Sequence, residues 1–307
     1  MSGADAVTPA TPTRAGFIAI LGAPNVGKST LVNRLVGAKV SIVSPKVQTT
    51  RTRVLGIFID GPAQVALVDT PGIFEPKRRL DRAMVAAAWS GAQDANRLAL
   101  VVDATAGLDG KTRAIVDRLV TEKRQGYLVL NKIDAVPKPK LLALAESLMQ
   151  TGAFTDAFMV SAKTGDGVAD LAHVFAAAVP KGPWLFPEDE ISDMPARLLA
   201  AEITREKLFL NLHQEMPYKI AVETEEWETR KDGSAAVHQV IYVDRDSQKG
   251  IVLGKRGDMI KRIGAQAREE LGGMLETTVH LFIRVKVRRN WEDDRERYSE
   301  WGLDYDA

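Results

Sequence analysis

The chain of 307 residues is 45% hydrophobic and 26% charged, carries no cysteine and has a formal net charge of +1, the composition of a globular protein rather than a disordered or membrane-spanning one. Its length exceeds the roughly 250 residues at which single cores stop growing and predicts two domains. The lack of cysteine excludes disulfides and thiolate metal sites, leaving oxygen-ligated ions as the metals to expect, and no apolar run approaches the roughly 20 residues a bilayer crossing needs.

Residues 1–14, MSGADAVTPATPTR, have no apolar signal core and read as a disordered leader, so the protein is expected to stay in the cytoplasm. Residues 15–180 alternate short apolar runs (FIAILG, QVALVDT, LALVVDA, YLVLNKID, FMVSAK) with helical stretches, predicting an α/β domain with a mostly parallel sheet and helices on both faces. Asp60-Gly61, between two apolar runs, predicts a hairpin that adds one antiparallel edge strand. Residues 181–195, flanked and interrupted by proline and without periodicity, read as a linker. Residues 196–290 follow as an α+β unit in the order helix, strand, strand, helix, tight turn, helix, strand. Residues 291–307, opening with Glu292, Asp293 and Asp294, are expected to be an acidic tail forming a solvated helix.

Four motifs sit at the ends of predicted strands. Gly22-Ala23-Pro24-Asn25-Val26-Gly27-Lys28-Ser29 fits G-x-x-x-x-G-K-S between a strand and the helix that Thr30 continues. There, backbone N–H groups and the helix N-terminus can cradle a β-phosphate, Lys28 can reach the β- and γ-phosphates, and Ser29 can ligate Mg²⁺. Asp69-Thr70-Pro71-Gly72 offers a carboxylate to Mg²⁺ through water and the Gly72 N–H to a γ-phosphate. Asn131-Lys132-Ile133-Asp134 supplies the choice of base: guanine presents both N1–H and a 2-amino group to the Asp134 carboxylate, whereas adenine would leave it unpaired. Ser161-Ala162-Lys163 then adds a backbone N–H for guanine O6. Either motif after the phosphate loop is weak alone; in this order at carboxyl ends of strands they are specific. In the polar segment 44–51 a threonine should complete the Mg²⁺ shell when a γ-phosphate is present; Thr50 is the choice, with Thr49 the alternative. Ile73 stands directly after Gly72, where many small GTPases have a water-orienting glutamine, so unaided hydrolysis should be slow, resting on charge neutralisation by Lys28, Mg²⁺, Thr50 and the Gly72 loop amides, with no general base assignable.

In the second unit, Gly254-Lys255-Arg256-Gly257 is a G-x-x-G turn between Ile251 on one helix and Ile260 and Lys261 on the next. Such a turn lets a single-stranded RNA backbone approach two cations, as in KH modules. Arg284, Lys286 and Arg288 project from one strand face and either extend that surface or lie in solvent.

Together GAPNVGKS, QTTR, DTPG, NKID and SAKTG, followed by FPEDEISD, AEITREKLF, PYKIAVE and GIVLGKRGDMIKRIG, resemble the Era family of bacterial GTPases from about Gly16 to Trp291. The resemblance implies a Ras-like G domain joined to a type II KH domain that binds the 3′ end of 16S rRNA and assists maturation of the 30S subunit. It also implies a monomer, contact of some relatives with the inner membrane face, and a potassium ion held by Asn25 beside the phosphates. A double-G-domain ribosome GTPase would need a second phosphate loop, and a tRNA-modifying relative a C-terminal cysteine; neither is present. The competing reading is an RNA-binding module that keeps GTP as a slowly hydrolysed structural ligand.

Overall fold

The computed structural model describes residues 12–46 and 49–307. Residues 1–11 of the expected leader, and Val47 and Gln48, lie outside the described residues. The first domain runs β1 (Arg14–Leu21), α1 (Lys28–Val36), β2 (Val54–Asp60), β3 (Ala63–Asp69), α2 (Arg79–Asp94), β4 (Arg97–Asp103), α3 (Gly110–Thr121), β5 (Gly126–Asn131), α4 (Lys138–Met149), β6 (Phe154–Met159) and α5 (Val168–Ala178). Its sheet has the order β2-β3-β1-β4-β5-β6, with β2 antiparallel to β3 and the remaining neighbours parallel. Apolar runs such as Ile18–Leu21 are buried on both faces, as a parallel sheet flanked by helices requires. Because β1, β3, β5 and β6 run the same way, the residues that follow them emerge at one edge of the sheet. The leader expectation overshoots by one residue: Arg14 opens β1, its N–H donating to the Pro62 carbonyl and its Nε to the Val179 carbonyl.

The second domain runs α6 (Ala196–Asn211), β7 (Ile220–Thr229), β8 (Ala235–Val243), α7 (Asp246–Leu253), α8 (Asp258–Met274) and β9 (Val279–Val287), followed by a short α9 (Arg295–Glu300). Strand β8 lies between antiparallel β7 and parallel β9. Strand alternation divides the side chains: Val222, Ile241, Val243 and Val285 pack against Leu208, Leu212, Val252 and Ile263 of the helices, while Ala221, Val240 and Tyr242 belong to a separate cluster.

That second cluster corrects the reading of the C-terminus. Trp291, Tyr298, Trp301 and Leu303 are buried, packing with Ala221, Val240 and Tyr242 and with Leu80, Ala83 and Met84 of α2. The tail is therefore an apolar wedge between the domains, not a solvated helix. Net acidity masked aromatic residues whose burial outweighs the exposed carboxylates on the other side. The linker is also anchored: the Ile57 N–H donates to the Ile191 carbonyl at 2.8 Å, and buried Gln64 receives the N–H groups of Leu185 and Phe186 and donates to the Phe186 carbonyl.

Candidate nucleotide-binding site

Both loop glycines are required by their surroundings. Gly22 has φ of 150° and an added Cβ would lie 2.5 Å from the Val101 carbonyl oxygen; Gly27 has φ of 95° and its Cβ would meet Asn131 Nδ2 at 2.3 Å. Ala23 and Val26 turn their side chains into the core, so only their backbone serves the loop. Pro24, Asn25, Gly27, Ser29, Thr30 and Gly72 border a cavity of about 440 Å³.

Lys28 is buried and its ammonium donates to the carbonyls of Gly22 and Ala23, each at 3.1 Å. Burial lowers its pKa from 10.5 to about 8, although Asp69 pulls the other way. Ser29 Oγ donates to Asp69 Oδ2 at 2.7 Å and lies 3.0 Å from Thr50 Oγ1. Ser41, which sequence patterning did not single out, donates to the same carboxylate oxygen at 2.7 Å. Burial raises the Asp69 pKa against the opposing pull of Lys28, Ser29 and Ser41. Its Oδ1 is buried without a hydrogen-bond partner.

Two hydroxyls and a carboxylate with an unspent buried oxygen suit Mg²⁺, which takes few protein ligands and completes its shell with water and phosphate. Among the described residues no cluster of three His, Cys, Asp or Glu side chains is present. Of the two candidate threonines, Thr50 points at Ser29, whereas Thr49 Oγ1 donates to the Lys46 carbonyl. Thr70 is spent on the Ile20 carbonyl, and Pro71 leads to Gly72, whose Cα hydrogens face Pro24 too closely for any side chain. Ile73 is buried and its N–H donates to the Gly22 carbonyl. Asn25 takes a positive φ of 65° and its Nδ2 donates to the Pro45 carbonyl, linking the phosphate loop to segment 44–51.

At the other end, buried Asn131 ties two loops together: Nδ2 donates to the Val26 carbonyl and Oδ1 receives the Ala162 N–H. Lys132 Nζ donates to the Asn25 carbonyl at 2.8 Å and to Asp103 Oδ2 at 2.6 Å. Partial burial pushes the Asp103 pKa up, but hydrogen bonds from Lys132 and Thr105 hold it below the usual carboxylate range. Ser161 Oγ donates to Asp134 Oδ1, fixing the carboxylate assigned to guanine. The structure thus brings the four motifs together and adds Ser41, Asp103 and Arg34, whose guanidinium donates to the carbonyls of Ala162 and Lys163. None of these three lies in a motif, so only spatial proximity reveals it.

In the second domain Gly254 (φ 73°) and Gly257 (φ 80°) bracket a turn that presents exposed Lys255 and Arg256 at the N-terminus of α8, with Lys261 and Ile251 also exposed and Ile260 half-buried against the core. A Cβ on Gly254 would lie 2.9 Å from the Met259 nitrogen, so this glycine is sterically fixed. Arg284 and Lys286 are paired with Glu225, and Arg288 with Asp294, which engages the strand charges internally.

The segment carrying Thr50 is gripped by the second domain. Arg205 of α6 donates to the Thr49 carbonyl, Lys46 Nζ to the carbonyls of Phe209 and Leu212, and Glu206 receives the Val43 N–H and pairs with Lys39. Buried Arg51 donates to the carbonyls of Ile220 and Tyr218 and lies 5.7 and 5.9 Å from the rings of Trp291 and Trp301.

This fold and arrangement of loops define a P-loop guanine-nucleotide-binding protein with an appended KH domain. The chain matches the model of the 50S ribosome-binding GTPase family over residues 17–132 and that of the KH domain over residues 215–292. It is 58% identical over 298 residues to GTPase Era of Brucella suis, covering 97% of this chain and 96% of that protein. With GTPase Era of Afipia carboxidovorans the identity is 59% over 296 residues, 96% of each. A crystal structure of Era in complex with MgGDPNP and nucleotides 1506–1542 of 16S ribosomal RNA aligns with a TM-score of 0.89 at 38% identity, over 94% of this chain and 99% of that one. An Aquifex aeolicus Era variant bound to GDP and AlF4⁻ aligns equally well. The chain belongs to the Era family of GTPases. No described helix is long and apolar enough to cross a membrane.

Proposed function

We propose that the protein is a GTP-binding and GTP-hydrolysing switch that captures the 3′ end of 16S rRNA through its KH domain and assists maturation of the 30S subunit. The observation that carries this reading is the placement of Thr50: its hydroxyl lies beside Ser29, while the adjacent Thr49 carbonyl and Arg51 are held by α6 and β7 of the KH domain. Any movement of Thr50 toward a γ-phosphate therefore pulls on the second domain directly.

Lys28 leaves the two loop carbonyls to meet the β- and γ-phosphates, the Gly72 N–H faces the γ-phosphate, and Asp134 receives guanine N1–H and the 2-amino group. Bound Mg²⁺, held by Ser29, Thr50 and, through water, Asp69, supplies charge neutralisation. Potassium is proposed beside the phosphates at Asn25, whose amide already spans to the Pro45 carbonyl; equal hydrolysis rates in sodium and potassium buffers would remove it. Buried Ile73 has no group to orient water, so intrinsic turnover is slow. RNA backbone approaches through Gly254 and Gly257, with Lys255, Arg256 and Lys261 facing phosphates and Ile251 and Ile260 offering apolar surface to bases. The proposed working form is a monomer in the cytoplasm, with peripheral contact at the inner membrane face; cell fractionation tests the location.

The deciding experiment measures binding of a single-stranded 16S 3′-terminal fragment with GTP and with GDP, for wild type and for the combined Lys255→Asp, Arg256→Asp variant. These exposed positions leave the glycine turn intact. RNA affinity falls more than tenfold in the variant while GTP affinity persists, since each lost phosphate contact weakens binding. Equal RNA affinity in both nucleotide states, with no stimulation of turnover by RNA, would favour the binding-module reading. ATP held as tightly as GTP would defeat both.

A further inference from the structure

Beyond the four motifs, a residue of α1 grips the loop that carries Ala162 and Lys163. Arg34 donates through Nε to the Ala162 carbonyl at 3.1 Å and through a terminal nitrogen to the Lys163 carbonyl. It borders, with Thr30, Ala162 and Lys163, a second cavity that adjoins the phosphate cavity at Thr30. The N–H groups of this loop are not equally free. Ser161 N–H donates to the Asp166 carbonyl and Ala162 N–H to Asn131 Oδ1. Among the described residues no acceptor is recorded for the Lys163 N–H.

The peptide joining Ala162 to Lys163 is planar and trans, so its carbonyl and N–H point in opposite directions. Gripping the Ala162 carbonyl consequently aims the Lys163 N–H away from Arg34, and gripping the Lys163 carbonyl fixes the next peptide as well. Arg suits this task because its planar fork serves two carbonyls at once, which a lysine ammonium on a flexible stem does less well.

We propose that Arg34 is a positioning residue for guanine specificity: it holds the Ala162–Lys163 peptide so that the Lys163 N–H meets the purine 6-oxo group. The inference rests on the guanine reading of the site and assigns O6 recognition to a device separate from Asp134. Gly165, on the loop of Ala162 and Lys163, has φ of 94°, and a Cβ added there would lie 4.0 Å from the Arg34 guanidinium, so the loop has a flexible point that the clamp would restrain.

The test compares dissociation constants of GTP, 6-thio-GTP and ITP for the full chain, in wild type, Arg34→Ala and Arg34→Lys. The thio analogue weakens the acceptor at position 6 and keeps N1–H and the 2-amino group; ITP lacks only the 2-amino group. In Arg34→Ala the preference for GTP over 6-thio-GTP shrinks toward unity, a loss of roughly tenfold for one aimed hydrogen bond, while the preference over ITP stays at its wild-type value. Arg34→Lys recovers part of the first preference. Arg34 is exposed, so both variants should fold, and equal melting temperatures verify it. If Arg34→Ala weakens all three nucleotides equally, or none, the proposal is overturned and Arg34 is only a brace. If wild type itself prefers GTP over neither analogue, the guanine reading fails, and the proposal with it.

Discussion

Replacing Trp291 by alanine removes the centre of the wedge between the domains. The side chain is 1% exposed and packs in a cluster drawn from α2, the KH sheet and the tail. Truncating a buried tryptophan to alanine costs about 3–5 kcal/mol from lost transfer energy and the cavity left behind. Arg51 and Arg297 lie 5.7 and 5.8 Å from its ring, and each loses a cation–π contact of about 0.5–1 kcal/mol or more. A total near 5 kcal/mol rivals the whole stability of a small domain and predicts a fall of roughly 20 °C or more in the KH-domain melting transition. Trp291 Nε1 has no hydrogen-bond partner, so Trp291→Phe, which keeps most of the apolar volume, should cost far less. Differential scanning calorimetry of the full chain resolves the transitions, and amide exchange should show protection lost first in β8 and the tail. GTP affinity at low temperature should survive, because the nucleotide loops lie outside this cluster. A shift under about 5 °C for Trp291→Ala, or equal losses for both variants, would refute the wedge.

The lowered pKa of Lys28 has a definite sign. Between about 8 and 10.5 the unfolded chain binds more protons at this group than the nucleotide-free folded chain, so its linkage term makes stability rise with pH across that window. The full shift corresponds to about 3 kcal/mol, read by urea denaturation of wild type against Lys28→Met. GTP, bringing negative charge to the ammonium, should draw in roughly 0.7 proton at pH 8.5; calorimetry in buffers of different ionisation enthalpy measures it, and no uptake would contradict the assignment. Arg51→Met should leave GTP affinity within a few-fold of wild type but erase the difference in RNA affinity between nucleotide states; an unchanged difference would place the coupling elsewhere. Asp134→Asn exchanges an acceptor-only carboxylate for a group with a donor, so GTP affinity should fall at least tenfold while XTP, with a carbonyl at position 2, gains.

Much of the nucleotide site was legible because each motif is a contiguous string at a strand end, where an α/β sheet gathers its loops. The hairpin was legible from Asp60-Gly61, whereas the polar loop offered both Thr49 and Thr50, and only the structure shows that Thr50 lies beside Ser29 while Thr49 bonds the Lys46 carbonyl. Ser41, Arg34 and Asp103 were not legible, since their partners lie 28, 128 and 29 positions away and no local pattern marks them. The tail was misread for a related reason. Its carboxylates dominate the composition, whereas Trp291, Tyr298 and Trp301 acquire meaning only once α2 and β8 provide a surface to cover. The strand cations, left open between an RNA surface and a solvated face, proved to be paired in two cases with Glu225, which sits at a register shift in β7.

The anchored linker carries a consequence for dissecting the molecule. Strand β2 is the last in its sheet, and such a margin, left bare, recruits strands from other molecules. Here the Ile57 amide is occupied by the Ile191 carbonyl and the Leu55 amide faces the Asp193 carboxylate. A fragment stopped at residue 180 would strip that guard and invite self-association, whereas one extended through residue 193 would keep it; the segment between the domains is also the hem that stops the G domain's sheet from fraying into its neighbours.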